Sequence, residues 1–155
     1  MKRTSRNYQK AWLKKNNHLK ILDLGCSLVN YWPEANHYAD IGDFTKAFND
    51  LNLKFTQIKP NEKLPFKDKE FDYVILSHVL EHVPNLLEFV SEIERISKAG
   101  YIELPTKLND NLVFGCDEDD VGHKWWFEFD KKIYFLSLVK KYFSKKIRTL
   151  FSKKN

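Results

Sequence analysis

Three short runs constrain this chain most. Leu19-Lys20-Ile21-Leu22-Asp23-Leu24, Phe71-Asp72-Tyr73-Val74-Ile75-Leu76 and Tyr101-Ile102-Glu103-Leu104 are strand-length and largely apolar, with turn residues Gly25 and Pro105 closing the first and last. Runs of this kind suit strands covered on both faces. Between the second and third lies a helical period: Leu86, Val90, Ile93 and Ile96 share one face, while Glu88, Glu92, Glu94 and Arg95 fall largely elsewhere. Pro84 suits the first helical turn and Gly100 stands near a C-cap position. Strand, helix, strand at this spacing is a crossover between parallel strands. Weaker signals predict strands over residues 38–41 and 55–58, a short helix over 44–51, and a helix over 5–18 carrying Tyr8, Trp12 and Leu13. The expected fold class is α/β: a mostly parallel sheet between helices on both faces, in three layers.

That architecture predicts where a ligand sits. In parallel sheets it lies beyond the carboxyl ends of the strands, where the strand order reverses. The candidates are therefore Gly25 to Ser27, Asp40 to Asp43, Ser77 to Leu80, and Pro105 to Thr106. Gly25, lacking a Cβ, permits close approach of backbone to ligand. Asp40 ends the second strand, where a carboxylate accepts hydrogen bonds from both hydroxyls of a ribose. Ser27 and Asn30 occupy the second and third glycine positions of a GxGxxG pattern, which argues against a nicotinamide enzyme. His78 follows the fourth predicted strand on the ligand side. His123 precedes two tryptophans, and an imidazole there titrates near neutral pH. His82, beside Glu81 at a helix start, reads as structural. The acidic run 117–120 fits no defined ligand spacing, so no metal is expected.

With 155 residues, 43% of them hydrophobic, the chain has material for one core. The expected organisation is a single domain over 1–155. It has a basic helix or arm over 1–18, a ligand-binding core over 19–106, and an acidic loop, aromatic hairpin and basic helix over 107–155. In that last part, residues 124–130 read as an aromatic strand, 133–138 as its hairpin partner, and about 139 onward as an amphipathic helix. Trp125 and Trp126 alternate faces on a strand, which puts one toward the core and leaves the other for a substrate pocket, with core packing of both the favoured reading. No apolar run reaches the ~20 residues of a membrane span. Residues 1–20 lack an apolar h-region, and Cys26 and Cys116 form no CxxC pair, so a cytoplasmic location is expected. The net charge of +5 is unevenly spread: 1–20 carry seven Lys/Arg and 131–155 carry nine, neither with an acid. Solvated ends are the favoured reading, with nucleic acid or anionic lipid as the competing use of those ends. No zinc-finger or RNP-type pattern supports specific nucleic-acid readout.

Taken in order, Ile21-Leu22-Asp23-Leu24-Gly25-Cys26, Leu64-Pro65-Phe66-Lys67-Asp68-Lys69-Glu70-Phe71-Asp72-Tyr73-Val74 and His78-Val79-Leu80-Glu81-His82-Val83 resemble the class I S-adenosylmethionine-dependent methyltransferases, most closely their type 11-like branch. The resemblance spans about residues 19–106. It implies a Rossmann-like methyltransferase sheet whose C-terminal part is shortened, since 49 residues follow position 106. It also implies S-adenosylmethionine as cofactor. By position, Asp23, Gly25, Cys26 and Ser27 surround the methionine and ribose, Asp40 and Ile41 the ribose and its neighbourhood. Asn61 stands in for an adenine-binding acid, and Ser77 and His78 line the reacting sulfonium. The implied activity is methyl transfer to a small-molecule or glycan-type acceptor, with His78 and His123 as candidate bases. The competing expectation is a non-catalytic relative that binds partners through its basic ends. It is motivated by Ser27 and Val29 at later glycine positions and by Lys59 and Pro60 where the adenine acid commonly stands.

Overall fold

The computed structural model describes residues 4–105, 125–127 and 151–153. Five strands form one parallel sheet: β1 (Ile21–Leu24), β2 (His37–Asp40), β3 (Phe55–Gln57), β4 (Phe71–Ser77) and β5 (Ser97–Glu103), in the order β3-β2-β1-β4-β5. The central position of β1 follows from its composition. All four of its residues are buried, Asp23 included, as a strand covered on both faces requires. Asp23 aligns with Tyr38 of β2 on one side and Ile75 of β4 on the other.

The side-chain period of two splits the core into two layers. Leu22, Leu24, Ala39, Val74 and Leu76 join Leu86, Ile93 and Ile96 of α3 (Leu86–Ile96). Ile21, Tyr38 and Ile75 face the other way. They meet Leu13 of α1 (Arg6–Lys15) and Phe48 of α2 (Thr45–Asp50), with Tyr73 and Tyr101 packed alongside. Helix α1 starts at Ser5, whose side chain accepts the Tyr8 N–H and so satisfies one open donor of the first turn. Its inward residues, Gln9 and Leu13, dock it beside Tyr73, to whose hydroxyl Gln9 is hydrogen-bonded.

Three features of the fold are not written in the local sequence pattern. The crossover from β1 to β2 contains no helix; residues 25–36 form a loop that buries Trp32 and Ala35 in the core. The Tyr38 hydroxyl anchors it at the carbonyls of Trp32 and Ala35, and Asn36 Oδ1 accepts the Ile21 N–H at 3.0 Å. A large ring and side-chain anchors replace the helix that so short an interval cannot accommodate. Second, Gly100 is not a helix cap. Strand β5 begins directly after α3, and Gly100 pairs with Val74, whose carbonyl oxygen would lie 2.8 Å from any Cβ added there. Close approach of two backbones explains the glycine. Third, the aromatic strand β6 (Trp125–Phe127) pairs antiparallel with β7 (Phe151–Lys153), a partnership the local pattern does not announce. A helix running to the C-terminus is therefore interrupted at least at 151–153. The partner of an aromatic strand is chosen by long-range packing, which periodicity along the chain does not contain. Residues 133–138 and the rest of the expected basic helix lie outside the described residues, as do Cys116, the run 117–120 and His123.

The long connection from β3 to β4 is held by Arg95 of α3. Its guanidinium donates to the carbonyls of Leu64 (3.0 Å) and Phe66 (2.7 Å), to Asp68 and to both oxygens of Glu92. This clamp keeps Leu64 and Phe66 buried under the sheet.

Candidate active site

The chain leaves β1 toward β2 and leaves β4 toward β5, in opposite directions along the sheet. The strand order therefore reverses between β1 and β4, and a crevice opens beyond their carboxyl ends. A cavity of about 310 Å³ lies there, lined by Arg6, Asp23, Gly25, Ser27, Asn30, Ser77 and His78. A larger depression of about 480 Å³ runs along the flank of α1, lined by Lys10, Leu13, Lys14, Asn17, Pro33 and Glu34. It lies away from the strand ends, so the smaller cavity is the candidate site.

Asp23 forms the floor. Its Oδ2 accepts the Trp32 N–H at 2.7 Å, and burial raises its carboxyl from 3.8 to about 7, against the opposing pull of that bond and of Arg6. Arg6 reaches over from α1, its guanidinium 4.8 Å from the Trp32 ring centroid and Nη1 3.3 Å from Glu103 Oε2. The same carboxylate oxygen accepts the Ser77 hydroxyl at 2.8 Å. The cavity thus presents a cation, Arg6, and a carboxyl group able to ionise at neutral pH, Asp23. Ser27 Oγ accepts the Asn30 N–H at 3.2 Å, which closes the turn that forms the lip.

Gly25 has φ +82, and a Cβ there would run into Cγ2 of Val79. Its freedom serves the packing of the β1 turn against the β4 turn as well as the cavity it lines. His78 also has positive φ, +59, unusual for a side chain of this size. Its N–H donates to the Glu103 carbonyl at 2.9 Å, which holds the strained residue at the strand end. The imidazole is half-exposed, and its Nδ1 lies 3.3 Å from Oε1 of the fully buried Glu81. The carboxylate raises the ring above its ordinary 6.5.

Of the residues expected at the cofactor, Asp23, Gly25, Ser27, Ser77 and His78 converge on this cavity. Cys26 does not: its side chain is buried, Sγ donates to the Ala39 carbonyl at 3.6 Å, and burial pushes its thiol up. Asp40 and Ile41 stand one strand over. Asp40 Oδ1 accepts the Gly42 N–H at 2.8 Å, and burial raises its carboxyl; Ile41 is 60% exposed. Asn61 occupies a left-handed turn after β3, exposed and not among the cavity-lining residues. Arg6 and Asn30 were not anticipated. Arg6 had a signal: Arg6, Gln9 and Leu13 share a helical face, so a chain that buries Leu13 carries Arg6 inward.

A parallel sheet with a charged, glycine-edged cavity at its switch point defines a Rossmann-like protein that binds a nucleotide-type ligand. A family model for a methyltransferase domain matches residues 22–102. The chain belongs to the class I S-adenosylmethionine-dependent methyltransferases, in their type 11-like branch. An uncharacterized protein of Methanocaldococcus jannaschii is 34% identical over 87 residues, 50% of this chain and 36% of that one. Demethylmenaquinone methyltransferase of Geobacillus stearothermophilus is 29% identical over 80 residues, 52% of this chain and 33% of that one. The chain thus matches about a third of the length of these curated relatives. A SAM dependent methyltransferase from Archaeoglobus fulgidus shares the fold, with TM-score 0.50, 22% identity, and coverage of 90% of this chain and 67% of that one.

Proposed function

We propose that this protein transfers a methyl group from S-adenosylmethionine to a small-molecule or glycan-type acceptor. The observation that carries the reading is the pairing of Arg6 with Asp23 across a cavity at the switch point. A free amino-acid head is zwitterionic, and this pair offers a cation for its carboxylate and a carboxylate for its ammonium. A bound ammonium also draws Asp23 toward its ionised form, which burial otherwise disfavours. The residues present therefore fit the methionine end of the cofactor. Asp40, beside the β1 turn, takes the ribose, and the exposed Ile41 offers an apolar surface to the adenine.

S-adenosylmethionine, when bound, supplies an already activated methyl group, so the chain's own residues have positioning and proton handling to do. Arg6, Asp23 and the Ser27 lip hold one reactant. His78 lines the same cavity, and with Nδ1 turned to Glu81 its Nε2 is the nitrogen left to take a proton from an O–H or N–H acceptor. His123 keeps its proposed role as a second base. The location proposed is cytoplasmic. In keeping with that, no helix among the described residues is long and apolar enough to cross a membrane, and Cys26 is a free thiol.

Calorimetric titration of the full chain with S-adenosylhomocysteine tests the reading. Binding that Asp23→Asn abolishes is the expected result. No heat at millimolar ligand refutes it and leaves the non-catalytic binding module, whose partner contacts then reside in the basic ends.

A further inference from the structure

Besides Asp23, the described core buries one other carboxylate, Glu81. Glu81 is 0% exposed, and neither of its oxygens has a hydrogen-bond donor in good alignment. Ionised and unpaired, such a group is expensive to bury, so a nearby cation matters to it more than to any surface acid. The group that can supply it is the imidazole of His78, a cation once protonated, with Nδ1 3.3 Å from Oε1: contact distance for a charge pair, though off the line of an ideal hydrogen bond. Catalytic contacts are commonly loose before ligands bind.

The main chain around Glu81 is unusually well pinned. The Trp125 N–H donates to the Glu81 carbonyl at 3.2 Å, and the Trp125 indole donates to the Val83 carbonyl at 2.6 Å. Within the turn, the His82 N–H donates to Val79 and the Val83 N–H to Leu80. On the other side, the backbone of His78 is tied to Glu103. Carboxylate and imidazole are thus presented by a turn that β6 braces from outside.

We propose that Glu81 is the positioning residue of this site, holding His78 through Nδ1 so that Nε2 faces the cavity as the base that accepts the acceptor's proton. The inference rests on the methyltransferase reading for its chemistry. The proton passes from the acceptor's O–H or N–H to Nε2, and the acceptor's lone pair forms the new bond to the methyl carbon. The carbon–sulfur pair stays on sulfur, so one positive charge moves from sulfonium to imidazolium. Around the ring stand Glu81 on its own turn, Glu103 from β5, Arg6 from α1 and Asp23 from β1. The two glutamates favour the charged ring and Arg6 opposes it.

The test is an NMR titration of the His78 ring in the full chain, assigned with His78→Asn. In the wild type, ring nitrogen shifts at high pH are expected to show the Nδ1–H tautomer. Glu81→Gln is expected to lower the His78 midpoint by about one pH unit, and Glu81→Asp to restore part of it. The rising limb of kcat against pH then moves to lower pH in Glu81→Gln. Its maximum falls about ten-fold, less than the 10²–10⁴ that a general base as a whole contributes, as a positioning role requires, while cofactor affinity by calorimetry stays unchanged. An Nε2–H tautomer in the wild type, or a midpoint unmoved in Glu81→Gln, overturns the proposal. Cofactor binding absent from the wild type overturns the methyltransferase reading instead, and the titration still decides the pair.

Discussion

Asp23 gives a prediction in which stability and binding pull apart. Its carboxyl is raised from 3.8 to about 7, chiefly because burial disfavours the ionised form. An acid raised on folding makes the folded state hold its proton where the unfolded chain has lost it. Stability from this source is therefore fully present below pH 4, falls as pH rises from 4 to 7, and levels off above. At about 1.4 kcal/mol per decade of acidity, the rise from 3.8 to about 7 sets a ceiling of about 4 kcal/mol at pH 8. Asp23 borders a cavity, and the loop carrying Trp32 is able to adjust, so about half that ceiling is expected. Asp23→Asn keeps an oxygen for the Trp32 N–H and removes the charge. It should stabilise the ligand-free protein by about 2 kcal/mol at pH 8 and by nothing measurable at pH 3.5. Urea unfolding at pH 3.5, 5, 6.5 and 8 measures the difference. A variant less stable than the wild type at pH 8, or a gap that does not grow with pH, refutes the reasoning. Because the same variant should lose the cofactor, Asp23 would be a residue kept for binding at the expense of stability.

Three further outcomes are expected. Arg6→Ala should weaken S-adenosylhomocysteine binding about ten-fold, ~1.4 kcal/mol, as measured by calorimetry; affinity equal to wild type would remove Arg6 from the site. Gly25→Ala should destabilise by about 2–4 kcal/mol, from a left-handed residue with a Cβ and from overlap with Val79. Val79→Ala in that background should recover the overlap part in thermal melts, and no recovery would mean that the backbone alone matters. Arg95→Met should cost about 2 kcal/mol, since it leaves the carbonyls of Leu64 and Phe66 without their donor. A limited-proteolysis assay should then show earliest cleavage within residues 58–70, and earliest cleavage elsewhere would contradict the clamp.

Much of the fold was legible in one dimension because it is governed by local pattern. Apolar runs at 21–24 and 71–77, and the helical period at 86–96, each state what must be buried, and burial on both faces leaves a parallel sheet as the consistent arrangement. The switch point follows from the same order, so Gly25, Ser27, Ser77 and His78 could be picked out without coordinates, while Asp23 entered only through the family resemblance. What the pattern along the chain does not contain is which distant residue fills a given space. That Cys26 turns to the core, that Gly25 makes room for Val79, that Arg6 arrives from α1 to face Asp23, and that β6 takes β7 as its partner are outcomes of packing between segments far apart in the chain. Glu81 shows the division most plainly. As a letter beside a histidine near a helix start it looks like a surface acid. Only the closed tertiary structure removes it from water and leaves His78 beside it, and in so doing gives the pair a chemistry that neither residue has in solvent.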